Sequence, residues 1–539
     1  MSPLRRSLLA GLLLCSAAAR TAQGSPDPQP GEAVQVVRPF GIVLGKPTAD
    51  GVIRFMGVPF ALQPVGERRF APPQPLPKGK KIVNDLSRGV MCPQRYRGHV
   101  SVDPVVREDC LRLSLWTPGP TGKRPVFVWI HGGGFLSGSG STPGYDGGRL
   151  AARGDAVFVG INYRLGAFGY LDLRATGGER FRSSGNLGVL DQIAALEWVR
   201  DHIAAFGGDP QNITLLGESA GSMSTLTLMV APAARGLFHR AILQSGGANH
   251  VRNEAYAAHV TREFMARADV RDVAALRALT MEEMLDAQEK LVGAVREKVD
   301  LFAPTIDGAV LPDFPLRMIA AGRFQRIPVM HGTTHDEMRL WSLFDPEYGT
   351  APPEQIFAGN RIAGQRALGG PARVRELVAR YGAQHPAESP ADLSFTVIGD
   401  LFFRLPHIRL AEALAAQGAP TWMYLFTWPA PGTLRSAHAL DVAFTLRTYD
   451  DPMLAPYLGK GPLEKLADLM QDTWIAFARN GDPANPGLPA WPKYTEPSRF
   501  TMRLDVEPRL MSDPYSEDRR AWDGVPFDGI SPALDWNPK

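Results

Sequence analysis

Positions 217–221 read Gly-Glu-Ser-Ala-Gly and follow directly on an apolar run that contains Ile213, Leu215 and Leu216. A serine in an ordinary loop needs no glycine on either side. One that stands up from a very tight turn between a strand and a helix does, because a side chain two positions away would run into the turned backbone. The spacing Gly217, Ser219, Gly221 therefore demands a strand that stops at the serine and a helix that starts at once, with Ser219 as a candidate nucleophile.

A pattern this short also arises by chance, so its surroundings decide. PVFVWI at 125–130 and AVFVGINY at 156–163 are continuous apolar runs without alternation, as expected of strands buried on both faces of a largely parallel sheet. Leu190, Ile193, Leu196, Val199, Ile203 and Phe206 recur at intervals of three and four, the apolar face of a helix. A turn at 207–210, the strand into Leu216, and a stretch at 223–230 that can be helical come next. Strand and helix alternate, which predicts an α/β fold with a large, mostly parallel central sheet flanked by helices.

With 539 residues, 44% hydrophobic and 21% charged, the chain has material for a large core. No Gly/Ser linker, charge block or repeat interrupts 25–539, which predicts a single domain with long insertions. Residues 1–24 differ: Arg5 and Arg6 precede a short apolar run at 8–19 and small residues up to Gly24, the pattern of a cleavable export signal. The run falls short of the roughly 20 apolar residues that cross a bilayer, so no stable membrane anchor is expected, and the protein is read as secreted or periplasmic. Losing the segment removes three arginines and no acid, which takes the formal net charge from +3 to zero and leaves nothing built to grip nucleic acid. Cys15 leaves with it, and Cys92 and Cys110 remain as an even pair in an oxidising compartment, read as a disulfide.

Ser219 is a weak nucleophile until a histidine takes its proton, and that histidine needs a carboxylate to hold its tautomer. Acyl transfer also needs donors for the charge that develops on the substrate carbonyl. His131-Gly132-Gly133-Gly134-Phe135 follows the strand at 125–130, and its glycines leave the backbone free to turn several N–H groups toward one point; alone, such a run is also simply a flexible loop. Five histidines lie well past the serine. His331 and His335 flank the end of the strand-like RIPVMHG at 326–332, His385 precedes Pro386 in a polar stretch, His407 opens a helical pattern, and His438 lies among small residues after TWMYLFTW. Asp336, Glu337 and Asp441 are the candidate acids.

Several longer stretches carry a resemblance. Phe206-Gly207-Gly208, then Ile213, Leu215, Gly217, Ser219, Ala220 and Gly221, fill one long signature, and Glu108-Asp109-Cys110-Leu111-Arg112-Leu113-Ser114-Leu115-Trp116-Thr117-Pro118 a second. RFMGVPFA at 54–61, NYRLGAFGYL at 162–171, GNLGVLDQ at 185–192, MQDTWIAFARNGDPANP and WPKY extend the match from about 35 to about 525. On these residues the chain resembles the type-B carboxylesterase and lipase family, α/β-hydrolases that include cholinesterases and bacterial carboxylesterases. Arg112 and Ser114 stand where that family usually has Tyr and Asn, and Met338 where it has Gly.

The resemblance implies a serine carboxylesterase that needs no cofactor or metal and acts on a small-molecule ester through an acyl-enzyme. It implies Ser219 as nucleophile, His438 as base, Glu337 rather than Asp336 or Asp441 as orienting acid, and the N–H groups of Gly133, Gly134 and Ala220 as oxyanion donors, with Gly132 shaping the loop. It also supports the Cys92–Cys110 pairing. Some relatives keep the fold as adhesion modules and lose the serine, whereas all three triad positions are filled here. A lipase-like specificity stays open. A cholinesterase-like one would want a tryptophan in the loop between Cys92 and Cys110, which holds Tyr96 but no Trp.

Overall fold

The computed structural model describes residues 33–84, 89–95, 105–294, 301–343, 371–452 and 454–525. The expected signal at 1–24, and Tyr96, lie outside the described residues. Fourteen strands follow in chain order: β1 (Val34–Arg38), β2 (Gly41–Pro47), β3 (Ile53–Pro59), β4 (Val90–Met91), β5 (Val105–Val106), β6 (Arg112–Thr117), β7 (Arg124–Ile130), β8 (Val157–Ile161), β9 (Gly208–Glu218), β10 (Arg240–Gln244), β11 (Val329–Thr334), β12 (Thr421–Phe426), β13 (Phe500–Leu504) and β14 (Arg509–Ser512).

Twelve of them form one sheet in the order β1-β2-β3-β6-β8-β7-β9-β10-β11-β12-β13-β14, and β4 pairs with β5 alone. The run from β8 to β13 is parallel, and the strands at either side of it are antiparallel. This is the α/β-hydrolase architecture expected from the sequence. The parallel strands lack polar alternation because both faces are covered. In β7, Val126, Val128 and Ile130 enter one core while Phe127 and Trp129 enter the other. The helices Leu187–His202 and Ala220–Val230 pack on the first face, and Leu463–Asn480 on the second.

Two boundaries differ from the sequence reading. The turn expected at 207–210 shrinks to Gly207, which is left-handed at φ 81°, because Gly208 already pairs with Arg124 and the ladder resumes at Val126 and Ile213. The strand expected at 326–332 runs instead from Val329 to Thr334, after Pro328, which has no N–H to give a ladder.

The order of chain crossings matters for function. From β7 the chain moves to β8 on one side and then to β9 on the other, so a crevice opens at the carboxyl ends of these strands, where open α/β sheets bind ligands.

Candidate active site

Ser219 follows the last residue of β9 and caps the helix Ala220–Val230 with φ 55° and ψ −124°, a conformation L-residues avoid. Such a backbone costs about 1–3 kcal/mol and persists only where its surroundings fix it. Here the Ser219 N–H donates to Gln244 O at 2.9 Å and its carbonyl accepts from Met223 N at 3.0 Å. The flanking glycines are obligatory: a Cβ on Gly221 would lie 1.9 Å from Ile130 O, and one on Gly217 would lie 2.4 Å from the Gly221 carbonyl. Ser219 is partly open to solvent, and among the described residues its hydroxyl has no hydrogen-bond partner.

The other groups come from neighbouring strand ends. Glu337 follows β11 and is 2% exposed; His438, in the loop after β12, is 4% exposed. His438 Nδ1 lies 2.5 Å from Glu337 Oε2, the Glu337 Oε1 accepts the Thr334 N–H at 2.9 Å, and His438 N–H donates to Glu337 O at 3.2 Å. Glu337 is thus locked from three sides, which holds the proton of a neutral imidazole on Nδ1 and leaves Nε2 as the unprotonated nitrogen.

Asp336 points the other way. It accepts from Arg339 Nε at 3.1 Å and from Ser436 N at 3.3 Å, and it faces His335 Nδ1 at 3.1 Å. Burial works against its charge, but His335, Arg339 and the Ser436 N–H hold the carboxyl below its usual range. Asp441 is fully buried and accepts from Gln244 Nε2 and Tyr424 OH, each at 2.9 Å. Burial, with Glu218 and Glu337 nearby, pushes its carboxyl up to about 7 despite those donors.

One member of the site carries no signal in the sequence reading. Glu218, beside the nucleophile and buried, places Oε1 2.9 Å from His438 Nε2, although the two are not aligned for a hydrogen bond. Burial alone would depress the imidazole, but Glu218 and Glu337 outweigh it and raise His438 above the ordinary histidine range. The acid sits within the Gly-Glu-Ser-Ala-Gly pattern itself, so its position was visible, but its contact depends on where the β12 loop lands. The rings of Trp341 and Phe403 flank the imidazole with centroids 5.0 and 4.8 Å away.

The remaining histidines are engaged elsewhere. His331 and His407 face each other through Nδ1 at 3.0 Å, and burial drives both imidazoles down, His331 to about 3. His407 Nε2 accepts the Gly246 N–H at 3.0 Å, and His385 Nε2 lies 3.0 Å from Asp518.

The glycine run meets the serine directly. A Cβ on Gly132 would lie 2.5 Å from Glu218 Oε2 and 3.0 Å from the Ser219 Cβ. Gly133 and Gly134 take φ 103° and 61°, and both are exposed toward solvent. Among the described residues the N–H groups of Gly133, Gly134 and Ala220 have no acceptor. Free donors on the backbone that abuts a partly open serine are what a developing oxyanion requires.

Met338 is buried against the cluster that includes Phe395, Phe402 and Phe403, and its backbone is not left-handed, so the loop needs no glycine there. Arg112 grips both Asp109 oxygens at 2.9 and 3.0 Å, and Ser114 Oγ accepts from Gly57 N at 3.4 Å. Cys92 and Cys110 form a disulfide. Among the described residues no cluster of three or more His, Cys, Asp or Glu side chains is arranged to hold a metal ion, and no helix is long and apolar enough to cross a membrane.

The family model described as "Carboxylesterase family" matches residues 32–522. The chain is 36% identical to para-nitrobenzyl esterase of Bacillus subtilis (strain 168), over 90% of this chain and 97% of that protein. It is 34% identical to liver carboxylesterase 1 of Oryctolagus cuniculus, covering 90% and 92% of the two chains. Among solved structures, a Geobacillus stearothermophilus carboxylesterase superposes with a TM-score of 0.81 at 37% identity, covering 91% of this chain and all of that one.

Proposed function

Because the chain belongs to the carboxylesterase family and is a carboxylic ester hydrolase, we propose that it is an exported serine esterase that cleaves small-molecule esters through an acyl-enzyme. Ser219 is the nucleophile, His438 the general base and acid, and Glu337 the residue that orients it. The observation that carries this reading is the strained Ser219 turn directly after Glu218, whose carboxylate lies 2.9 Å from His438 Nε2, with Glu337 2.5 Å from Nδ1 of the same ring.

Ser219 Oγ attacks the ester carbonyl carbon as its proton passes to His438 Nε2, and the carbonyl electrons move onto an oxyanion held by the N–H groups of Gly133, Gly134 and Ala220. Glu337, and Glu218 on the other side, stabilise the imidazolium. Collapse expels the alcohol, which takes the proton from Nε2. Water then attacks the acyl-serine with His438 again as base, and the carboxylic acid leaves. One relative is named para-nitrobenzyl esterase, which makes esters carrying an aromatic group the first substrates to assay.

The test is covalent. An organophosphate should attach to Ser219 and abolish ester hydrolysis, and Ser219→Ala should abolish labelling. An adduct mapped to another residue would overturn the assignment. Export is tested separately: protein recovered from the medium or periplasm should begin near residue 25.

A further inference from the structure

Two buried carboxamides tie the disulfide ring to the glycine loop. Gln94, two residues beyond Cys92 and 3% exposed, spans Gly138 with both ends: Gly138 N donates to Gln94 Oε1 at 2.8 Å, and Gln94 Nε2 donates to Gly138 O at 2.9 Å and to Cys92 O at 3.0 Å. Asn162, after β8 and 4% exposed, repeats the device one step on. Its Oδ1 accepts from Gly140 N at 2.9 Å and Ser139 Oγ at 3.0 Å, and its Nδ2 donates to Val90 O at 2.7 Å and Cys110 O at 3.2 Å.

Gly138 lies against the start of the loop it belongs to. Its φ is 108°, and a Cβ there would meet His131 Nδ1 at 2.3 Å and Gly132 O at 2.6 Å. Gly132 in turn abuts Ser219. A continuous series of contacts therefore runs from the Cys92 carbonyl through Gln94 and Gly138 to the backbone that presents Gly133 and Gly134.

We infer that Gln94 is a positioning residue for the oxyanion donors, with Asn162 as a second brace, so that the disulfide ring sets the aim of the glycine loop. This rests on the proposed role of Gly133 and Gly134. Glutamine suits the position because its carboxamide offers a donor and an acceptor at the same end. A glutamate would keep the acceptor for Gly138 N–H but set an anion against the Gly138 and Cys92 carbonyls. Donors that are not aimed at the oxyanion stop stabilising the transition state while leaving substrate binding nearly intact, since misplacement on the order of 1 Å costs about 10²-fold in rate.

The test compares wild type with Gln94→Met, which fills the same space, and Gln94→Glu, with Ser219→Ala as control. Sites are counted by organophosphate titration, so loss of folded protein does not enter. The quantities are kcat and KM for p-nitrophenyl acetate and the inhibition constants of an aryl trifluoromethyl ketone and of its carbinol. The ketone adds Ser219 Oγ to its carbonyl carbon and places an oxyanion in the site; the carbinol forms no such adduct.

The expected result is a fall in kcat of about tenfold or more and an equal loss of ketone affinity, with KM and carbinol affinity changed by less than about threefold. If one variant does not fold, the other is read by the same quantities. Unchanged kcat and ketone affinity in a folded variant, or equal losses for ketone and carbinol, overturn the inference. Failure of the ketone to inhibit wild type, or retained activity in Ser219→Ala, instead overturns the functional reading beneath it.

Discussion

At the scale of single residues, the adjacent acids Asp336 and Glu337 have divided their work. Glu337 meets His438, whereas Asp336 holds the backbone of Ser436 and the side chain of Arg339. Glu337→Gln keeps the shape but favours the wrong tautomer, a change worth roughly 10⁴-fold in the serine-protease case. We expect kcat to fall by at least about 10²-fold with little change in thermal midpoint, and Asp336→Asn to lower the midpoint while kcat falls less than about tenfold. The reverse pattern in steady-state assays and melting curves would make Asp336 the acid. Glu218 gives a second prediction. In the proposed mechanism only the neutral imidazole accepts the Ser219 proton, and Glu218 and Glu337 raise its affinity for protons, so kcat/KM should rise with pH through a midpoint above about 6.5, the ordinary histidine value. Glu218→Gln removes one anion and should move that midpoint to lower pH; an unmoved midpoint would separate Glu218 from the base. The Ser219 framing was legible because it is local. The partnership of Glu218 with His438 was not, because it joins residues about two hundred positions apart through the packing of a loop.

At the scale of elements, the site depends on how tightly β7, β9 and the helix Ala220–Val230 are pressed together. Gly221 has no room for a Cβ, and the atom in its way is a main-chain oxygen inside the parallel sheet, which cannot retreat without breaking the ladder. Gly221→Ala should therefore fail to give soluble folded protein, whereas Gly134→Ala, whose Cβ would meet nothing within 4 Å, should fold and bear only the cost of its left-handed backbone. Soluble yield and thermal midpoint check both; a Gly221→Ala midpoint within a few degrees of wild type would contradict the packing account. Buried strands such as 125–130 were legible from their unbroken apolar runs, and the helix after Val189 from its period. The start of β9 was not, because Gly208 and Pro210 carry turn chemistry while the tertiary pairing of Gly208 with Arg124 draws the chain into the sheet early. Met338 is a further case: its side chain joins a cluster formed by residues near 395–403 that no local pattern connects to it.

At the scale of the whole molecule, the loops after four parallel strands, β7, β9, β11 and β12, meet at one edge of the sheet, and Gln94, beside the Cys92–Cys110 disulfide, braces the glycine loop among them. Closing a ring of this size contributes about 3 kcal/mol by the chain-entropy model, so reduction should lower the thermal midpoint, and non-reducing peptide mapping should find the two cysteines joined. Free thiols in both, in protein from outside the cytoplasm, would contradict the pairing. Ester cleavage through an acyl group on Ser219 can be seen by rapid mixing of the enzyme with an excess of a p-nitrophenyl ester. A burst of p-nitrophenol close to one equivalent of enzyme is expected, and acid-quenched peptide mapping should find the acyl group on Ser219 alone. Hydrolysis with no acylated peptide, or with the acyl group on another side chain, would contradict it.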